Sequence, residues 1–172
     1  AATTWSSGGA NPDEIRGLSL DAAGNIVVAG FEVLFPDEYY NWFYSLVAFR
    51  DPALVRRTLE LALTPEVKNQ DAGGVIARVV AGNPYGRELG WTWIEQNWDR
   101  ITAKIPDRMR GTVTGTARAF CDRQSLARAK AFIDAHPVPA AARSNAQVLE
   151  RVAQCAAVRD LQCADVHEWL AQ

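Results

Sequence analysis

The chain has 172 residues, 48% of them hydrophobic and 22% charged, with a formal net charge of −2. That length holds one domain with a real core, or one domain plus an appendage. The near-neutral balance argues against general nucleic-acid binding. No apolar run approaches the ~18 residues of a membrane span and no signal-peptide pattern is present, so neither nucleic acid nor membrane is expected as a partner. The chain begins AATTWSSGGA without Met, which reads as a fragment or a processed product. Cys121, Cys155 and Cys163 are an odd number without C-x-x-C spacing. Reduced structural thiols in a cytoplasmic protein are the expectation.

Residues 1–36 read as a β-hairpin appendage. EIRGLSL and NIVVAGFEVLF are β-rich runs with partial alternation, and Asp21 to Asn25 between them reads as a turn. The block Leu18 to Phe31, LSLDAAGNIVVAGF, resembles a single repeat of bacterial β-propeller proteins, with Trp5 and Gly8-Gly9 as its lead-in. A propeller needs roughly 4–8 blades and no second copy follows. A lone hairpin is marginal in water unless it packs on something. The segment is acidic, with Arg16 alone against Asp13, Glu14, Asp21, Glu32, Asp37 and Glu38.

From Pro36 the periodicity becomes helical, and residues 37–172 read as a helical domain. Asp37 to Phe49 is rich in aromatics. Asp51-Pro52 starts a helix, Asp as N-cap and Pro in the first turn, with Leu54, Val55, Leu59, Ala62 and Leu63 inward. Its D-P-x-x-V-R pattern resembles the second helix of HEAT-type repeats. A helix follows over Asp71 to Ala81, where Gly73 and Gly74 suggest close packing or a frayed start; no phosphate loop is present.

The stretch Asn83 to Ile105 predicts one long helix, capped by Asn83, with Pro84 in its first turn. Leu89, Trp93, Ile94, Trp98, Ile101 and Ile105 recur at three- and four-residue spacing and form one buried stripe. Pro106 ends it. Asp107 to Cys121 predicts a helix with Met109, Val113, Ala117 and Phe120 on one face. Another carries Leu126, Ala129, Phe132 and Ile133 and ends at His136-Pro137. The last long helix opens at Pro139 with Val148, Leu149, Val152, Cys155 and Ala156 inward, and a short final helix ends at Leu170. The expected fold is mainly α: an α-solenoid of about eight antiparallel helices in HEAT/ARM-like pairs, with the N-terminal β-hairpin.

Five stretches resemble the C-terminal helical domain of gluzincin zinc aminopeptidases, of the puromycin-sensitive, aminopeptidase N-like and endoplasmic-reticulum types. They are DPALVRRTLELAL (Asp51 to Leu63), QDAGGVIARVV (Gln70 to Val80), GRELGWTWIEQNWDRI (Gly86 to Ile101), FCD (Phe120 to Asp122) and HEWL (His167 to Leu170). The resemblance runs from about Tyr40 to Ala171. It implies a non-catalytic, HEAT-like solenoid that packs on the catalytic domain of a parent aminopeptidase and encloses the chamber for a peptide substrate. Zinc would belong to that catalytic domain, with no cofactor in this chain. A free-standing α-solenoid interaction module, or a fused or artificial chain, remain the alternatives.

The chemistry in the residues agrees with a non-catalytic role. H-E-x-x-H, which binds zinc through two His and supplies a Glu base, is missing; His167-Glu168-Trp169-Leu170 is followed by Ala171. The G-x-M-E-N segment of the resembled family is also absent. A zinc site would require Cys121, Cys155, Cys163 and a His to converge, and structural cysteines are the better reading. Ser125, Ser144 and Asp71 read as helix caps. One feature stands out. From Lys104 to Lys130 lie seven basic residues, Lys104, Arg108, Arg110, Arg118, Arg123, Arg128 and Lys130, opposed by Asp107 and Asp122. A solvated face with local salt bridges is one reading. A substrate- or partner-binding patch formed by Arg108, Arg110, Arg118 and Arg123, gripping a carboxylate, is the other.

Overall fold

The computed structural model describes residues 17–20, 26–29 and 45–170. The chain divides into two compact units, residues 1–43 and 44–172. In the first, strands β1 (Gly17–Leu20) and β2 (Ile26–Ala29) pair antiparallel, in register from Gly17 opposite Ala29 to Leu20 opposite Ile26. The expected turn, Asp21 to Asn25, lies outside the described residues, as does the aromatic run before Tyr44.

The second unit is helical. Helix α1 (Pro52–Ala62) starts as its sequence dictates: Asp51 is extended, and its carboxylate accepts from Ala53 N at 2.7 Å and Leu54 N at 3.2 Å. Two donors that the first turn leaves without carbonyl partners are thereby satisfied. Val55, Thr58, Leu59 and Ala62 form its buried face. Thr58 Oγ1 donates to Leu46 O at 3.2 Å, tying down a 3₁₀ turn over Leu46–Ala48. Helix α2 (Asn69–Ala77) runs into a π turn, Arg78–Gly82. A π turn inserts extra residues into the helical repeat, and the adjacent Val79 and Val80 are both fully buried. Asp71 sits in the first turn of α2 and Lys68 holds the cap position, so Asp71 is not the cap.

The expected long helix is two: α3 (Arg87–Gln96) and α4 (Trp98–Lys104). They part at Asn97, whose backbone leaves the helical region at φ −122°, ψ 19°. Its side-chain amide donates to Trp93 O at 2.9 Å, a local bond that competes with the helical ladder. Asn83 is not a helix cap either. It is buried, and its amide donates to Val47 O and Phe49 O, each at 2.7 Å, clamping the first 3₁₀ turn. The apolar stripe is largely as expected: Trp93, Ile94, Trp98, Ile101 and Ile105 are buried and Leu89 is half-buried. Trp91, outside the stripe, is fully buried too. Its ring meets Phe120 and Phe132 edge-on, both at 5.5 Å between centroids. The helix is therefore covered on two sides.

After Pro106 the expected single helix is broken into a 3₁₀ turn (Asp107–Met109), α5 (Arg110–Thr114) and a second 3₁₀ turn (Gly115–Ala119). Val113, Ala117 and Phe120 are nonetheless buried. Helix α6 (Arg123–Ala135) is capped by Asp122, which accepts from Ser125 N at 2.8 Å. Ser125 is thus the capped residue rather than the cap. Helix α7 (Ala142–Leu170) is continuous for 29 residues, about 43 Å, and absorbs the expected short final helix. Ser144 lies inside it and donates to Ala141 O at 2.9 Å. Helix α1 packs on α2 and α3, α2 on α5, and α6 on α7.

The cysteines correct the expectation of reduced thiols. Cys121 and Cys155 form a disulfide, with 5.0 Å between their Cα atoms and a sequence separation of 34. Their spacing carries no motif because the pairing is made by the docking of α7 beside the residues that precede α6. Cys163 is exposed and lies outside that pair. Among the described residues, no helix is long and apolar enough to cross a membrane.

Candidate functional site

The basic stretch is dispersed by the fold. Lys104 donates to Thr64 O at 2.8 Å, reaching back to the end of α1. Arg110 reaches the carbonyls of Thr102 at 2.7 Å and Ile105 at 3.2 Å, satisfying the last turn of α4, and pairs with Asp107 at 2.7 Å. Arg123 pairs with Asp160 of α7 at 2.6 Å. Lys130 pairs with Asp134 one turn on. Arg128 holds both carboxylate oxygens of Glu95, donates to Thr92 Oγ1 at 2.8 Å and reaches Glu88 at 3.5 Å. Glu95 in turn accepts from Trp91 Nε1 at 3.0 Å, so this cluster bolts α6 to the buried side of α3. Arg108 and Arg118 are exposed. Of the four residues named from sequence as a binding patch, Arg110 is paired with Asp107 and the largely exposed Arg123 with Asp160.

Arg118 does reach a concavity. A hollow of about 540 Å³ opens between the π turn, the 3₁₀ turn Gly115–Ala119 and α7, and Arg78, Arg118 and Arg151 line it. Its other walls are short side chains. Arg78 and Arg151 lie outside the basic stretch, 40 residues before and 33 after Arg118 by their numbers. No linear signal joins them; only the fold does. A second hollow of about 370 Å³, between α6 and α7, is walled mainly by apolar groups such as Ile133, Val138 and Leu149.

Among the described residues, no group of three or more His, Cys, Asp or Glu side chains is placed to hold a metal ion. The His136 ring stacks beside Phe132 and Trp98, and its Nδ1 lies 3.0 Å from Phe132 O. It is a packing residue at the end of α6. Trp93 and Trp98 are core residues, 2% and 8% exposed.

A family model described as the ERAP1-like C-terminal domain matches residues 35–154. The match leaves the propeller-like stretch, Leu18 to Phe31, outside it. Glutamyl aminopeptidase of Mus musculus is 32% identical to this chain over 132 residues, covering 74% of the chain and 14% of that protein. Glutamyl aminopeptidase of Rattus norvegicus is 32% identical over 130 residues, covering 73% and 14%. Aminopeptidase M1-A of Oryza sativa subsp. japonica is 41% identical over 69 residues, covering 40% and 7%. The chain therefore spans about one seventh of the length of the first two relatives.

Proposed function

Because the chain belongs to the ERAP1-like C-terminal domain family, we propose that it acts as the non-catalytic helical domain of a zinc aminopeptidase, packing on the catalytic domain and walling part of a peptide chamber. The observation that carries this reading is the match over residues 35–154, supported by relatives that are named aminopeptidases. The helices form a HEAT-like solenoid in this reading, and the peptide meets its concave side. The metal chemistry belongs to the rest of such an enzyme: this chain has no H-E-x-x-H, and its described side chains do not fit a zinc site. Of the basic residues, Arg108 and Arg118 are exposed, and in this reading they meet a substrate or partner.

The disulfide supports a compartment in which thiols oxidise. The cytoplasmic expectation rested on reduced cysteines and loses that support. A second reading, a composite chain, is favoured by one observation: the family match begins at residue 35 and the first compact unit ends at residue 43, so the hairpin unit would have a separate job.

The test has two arms. The 172-residue chain, supplied with zinc and an aminoacyl anilide, is expected to release no product above buffer. Mixed with the catalytic part of a related aminopeptidase stripped of its matching C-terminal segment, it is expected to co-elute in size-exclusion chromatography. Hydrolysis by the chain alone, or no complex, overturns the proposal.

A further inference from the structure

Among the described residues five large apolar side chains stand exposed, and four of them, Val158, Leu161, Val166 and Trp169, lie in the last part of α7. The fifth, Tyr85, has Arg50 stacked over its ring. Ala156 is the last buried position described in α7, and every later one whose burial is described is exposed. The helix runs on from there to Leu170 as an arm about 21 Å long. The family match ends at residue 154, so the arm lies beyond it. Its root is held in place. Cys155 is bonded to Cys121, Arg159 donates to Cys121 O at 3.4 Å, and Asp160 pairs with Arg123 at 2.6 Å.

At about 100° per residue the four side chains fall within an arc of about 140°, which is one face of the helix. Their spacing is symmetric. Val158 and Trp169 are centred on the point midway between positions 163 and 164, and so are Leu161 and Val166. Two copies of the arm laid antiparallel about a two-fold axis through that point bring Val158 level with the second copy's Trp169. Leu161 then stands level with the second copy's Val166. A two-fold interface needs this self-complementarity, because wherever one residue meets another the reverse contact is made as well. A parallel pair would set the bulky Trp169 against itself and Val158 against itself, without that match of large to small.

Area decides how strong such a pair is. Val158, Leu161, Val166 and Trp169 are 51%, 75%, 52% and 72% exposed. Facing arms would hide roughly 700 Å² through these side chains alone, taking roughly 60–120 Å² for a fully buried Val or Leu and 150–250 Å² for Trp. Standard specific interfaces begin at about 1,200 Å² in total, and weak, transient ones lie below that. The surface therefore suits a reversible pair rather than an obligate one.

We propose that the exposed face of the last part of α7 is a dimerisation surface, on which the same arm of a second copy packs antiparallel.

Sedimentation equilibrium of the whole 172-residue chain tests this. The mean mass is expected to rise from one chain toward two between about 10 μM and 1 mM. Leu161→Asp/Trp169→Asp is expected to raise the dissociation constant roughly tenfold or more, since each copy supplies both ends of the contact. Val158→Glu, at the other end of the face, is expected to do the same. Tyr85→Ser, exposed elsewhere, is expected to leave it unchanged. All three should keep the parent's circular dichroism spectrum. Orientation is read from nitroxide labels on Glu150→Cys in a Cys163→Ser background: the antiparallel pair sets them about 40 Å apart along the helix, a parallel pair about 10 Å. A chain still monomeric at about 1 mM overturns the proposal. So does a dimer that persists unweakened in both arm variants, or one with its labels at the shorter distance. An arm face that binds the catalytic part of a related aminopeptidase but not a second copy has a different occupant, and that outcome overturns the proposal too.

Discussion

Trp93 donates its indole N–H to Glu60 Oε1 at 2.7 Å, across 33 residues of sequence. The same carboxylate pairs with Arg100 at 2.8 Å, and Arg100 also donates to Asn97 Oδ1 at 2.6 Å. One side chain of α1 thus holds α3, α4 and the break between them.

Replacing Glu60 with Ala leaves a buried indole N–H without its partner and removes a half-exposed ion pair. A loss of about 1–2 kcal/mol is expected, most of it from the indole bond, since exposed ion pairs contribute little. Urea denaturation of Glu60→Ala against the parent chain measures it; a difference below about 0.3 kcal/mol would contradict the assignment.

Acid should find the same residue. Hydrogen bonding from Arg100, and then from Trp93, holds the Glu60 carboxyl below its ordinary range despite partial burial. The N–H of Ser125 does the same for Asp122. A carboxyl whose folded pKa is depressed contributes its full stability above the unfolded value, near 4 for these residue types, and loses it as pH falls through the folded value. The urea midpoint is therefore expected to be flat with respect to these two groups above about pH 5 and to fall below about pH 4. Glu60→Gln combined with Asp122→Asn should flatten part of that fall.

Gly111 of α5 sits against the turn before α7, where an added Cβ would lie 2.6 Å from Ala141 Cβ. Helix propensity alone favours Ala over Gly by about 1 kcal/mol. Here neither partner is a flexible side-chain end, and overpacking costs about 1–3 kcal/mol. Gly111→Ala is expected to lower the melting temperature rather than raise it, as differential scanning calorimetry would record.

Reduction of the Cys121–Cys155 disulfide releases a loop with a sequence separation of 34. The chain-entropy model gives about 3–4 kcal/mol for a loop of that size. Thermal melts with and without a thiol reductant, and of Cys121→Ser/Cys155→Ser, should show matching decreases. Unchanged melting would mean that the two sulfurs are not bonded in solution.

The parts of this fold that were legible in the sequence are those that depend on short-range signals. Asp51-Pro52 marks a helix start through bonds two and three residues long, and it holds. The Trp93 to Ile105 stripe reads correctly because helical phase alone decides which side is apolar. Trp91 was not legible as core, because a one-sided stripe assumes a surface helix and α3 is covered from both sides. The break at Asn97 and the π turn at Arg78–Gly82 escaped a regular 3.6-residue reading for a related reason: each is a departure from the period being fitted. The disulfide and the arginine hollow depend on residues tens of positions apart. A run of basic residues suggested Arg108, Arg110, Arg118 and Arg123 together, but Arg110 turns to the nearby Asp107 and the carbonyls that end α4, and Arg123 pairs with the distant Asp160.

The bond between Cys121 and Cys155 also closes the chain into a covalent ring that contains all of α6 and the first part of α7. A protease that cuts inside this ring severs the backbone without dividing the molecule. The nicked protein keeps its full mass until a reductant is added, and only then separates into two polypeptides. Nicking seen on reducing gels but not on non-reducing gels would therefore map to residues 122–154, the span that contains α6 and the first turns of α7.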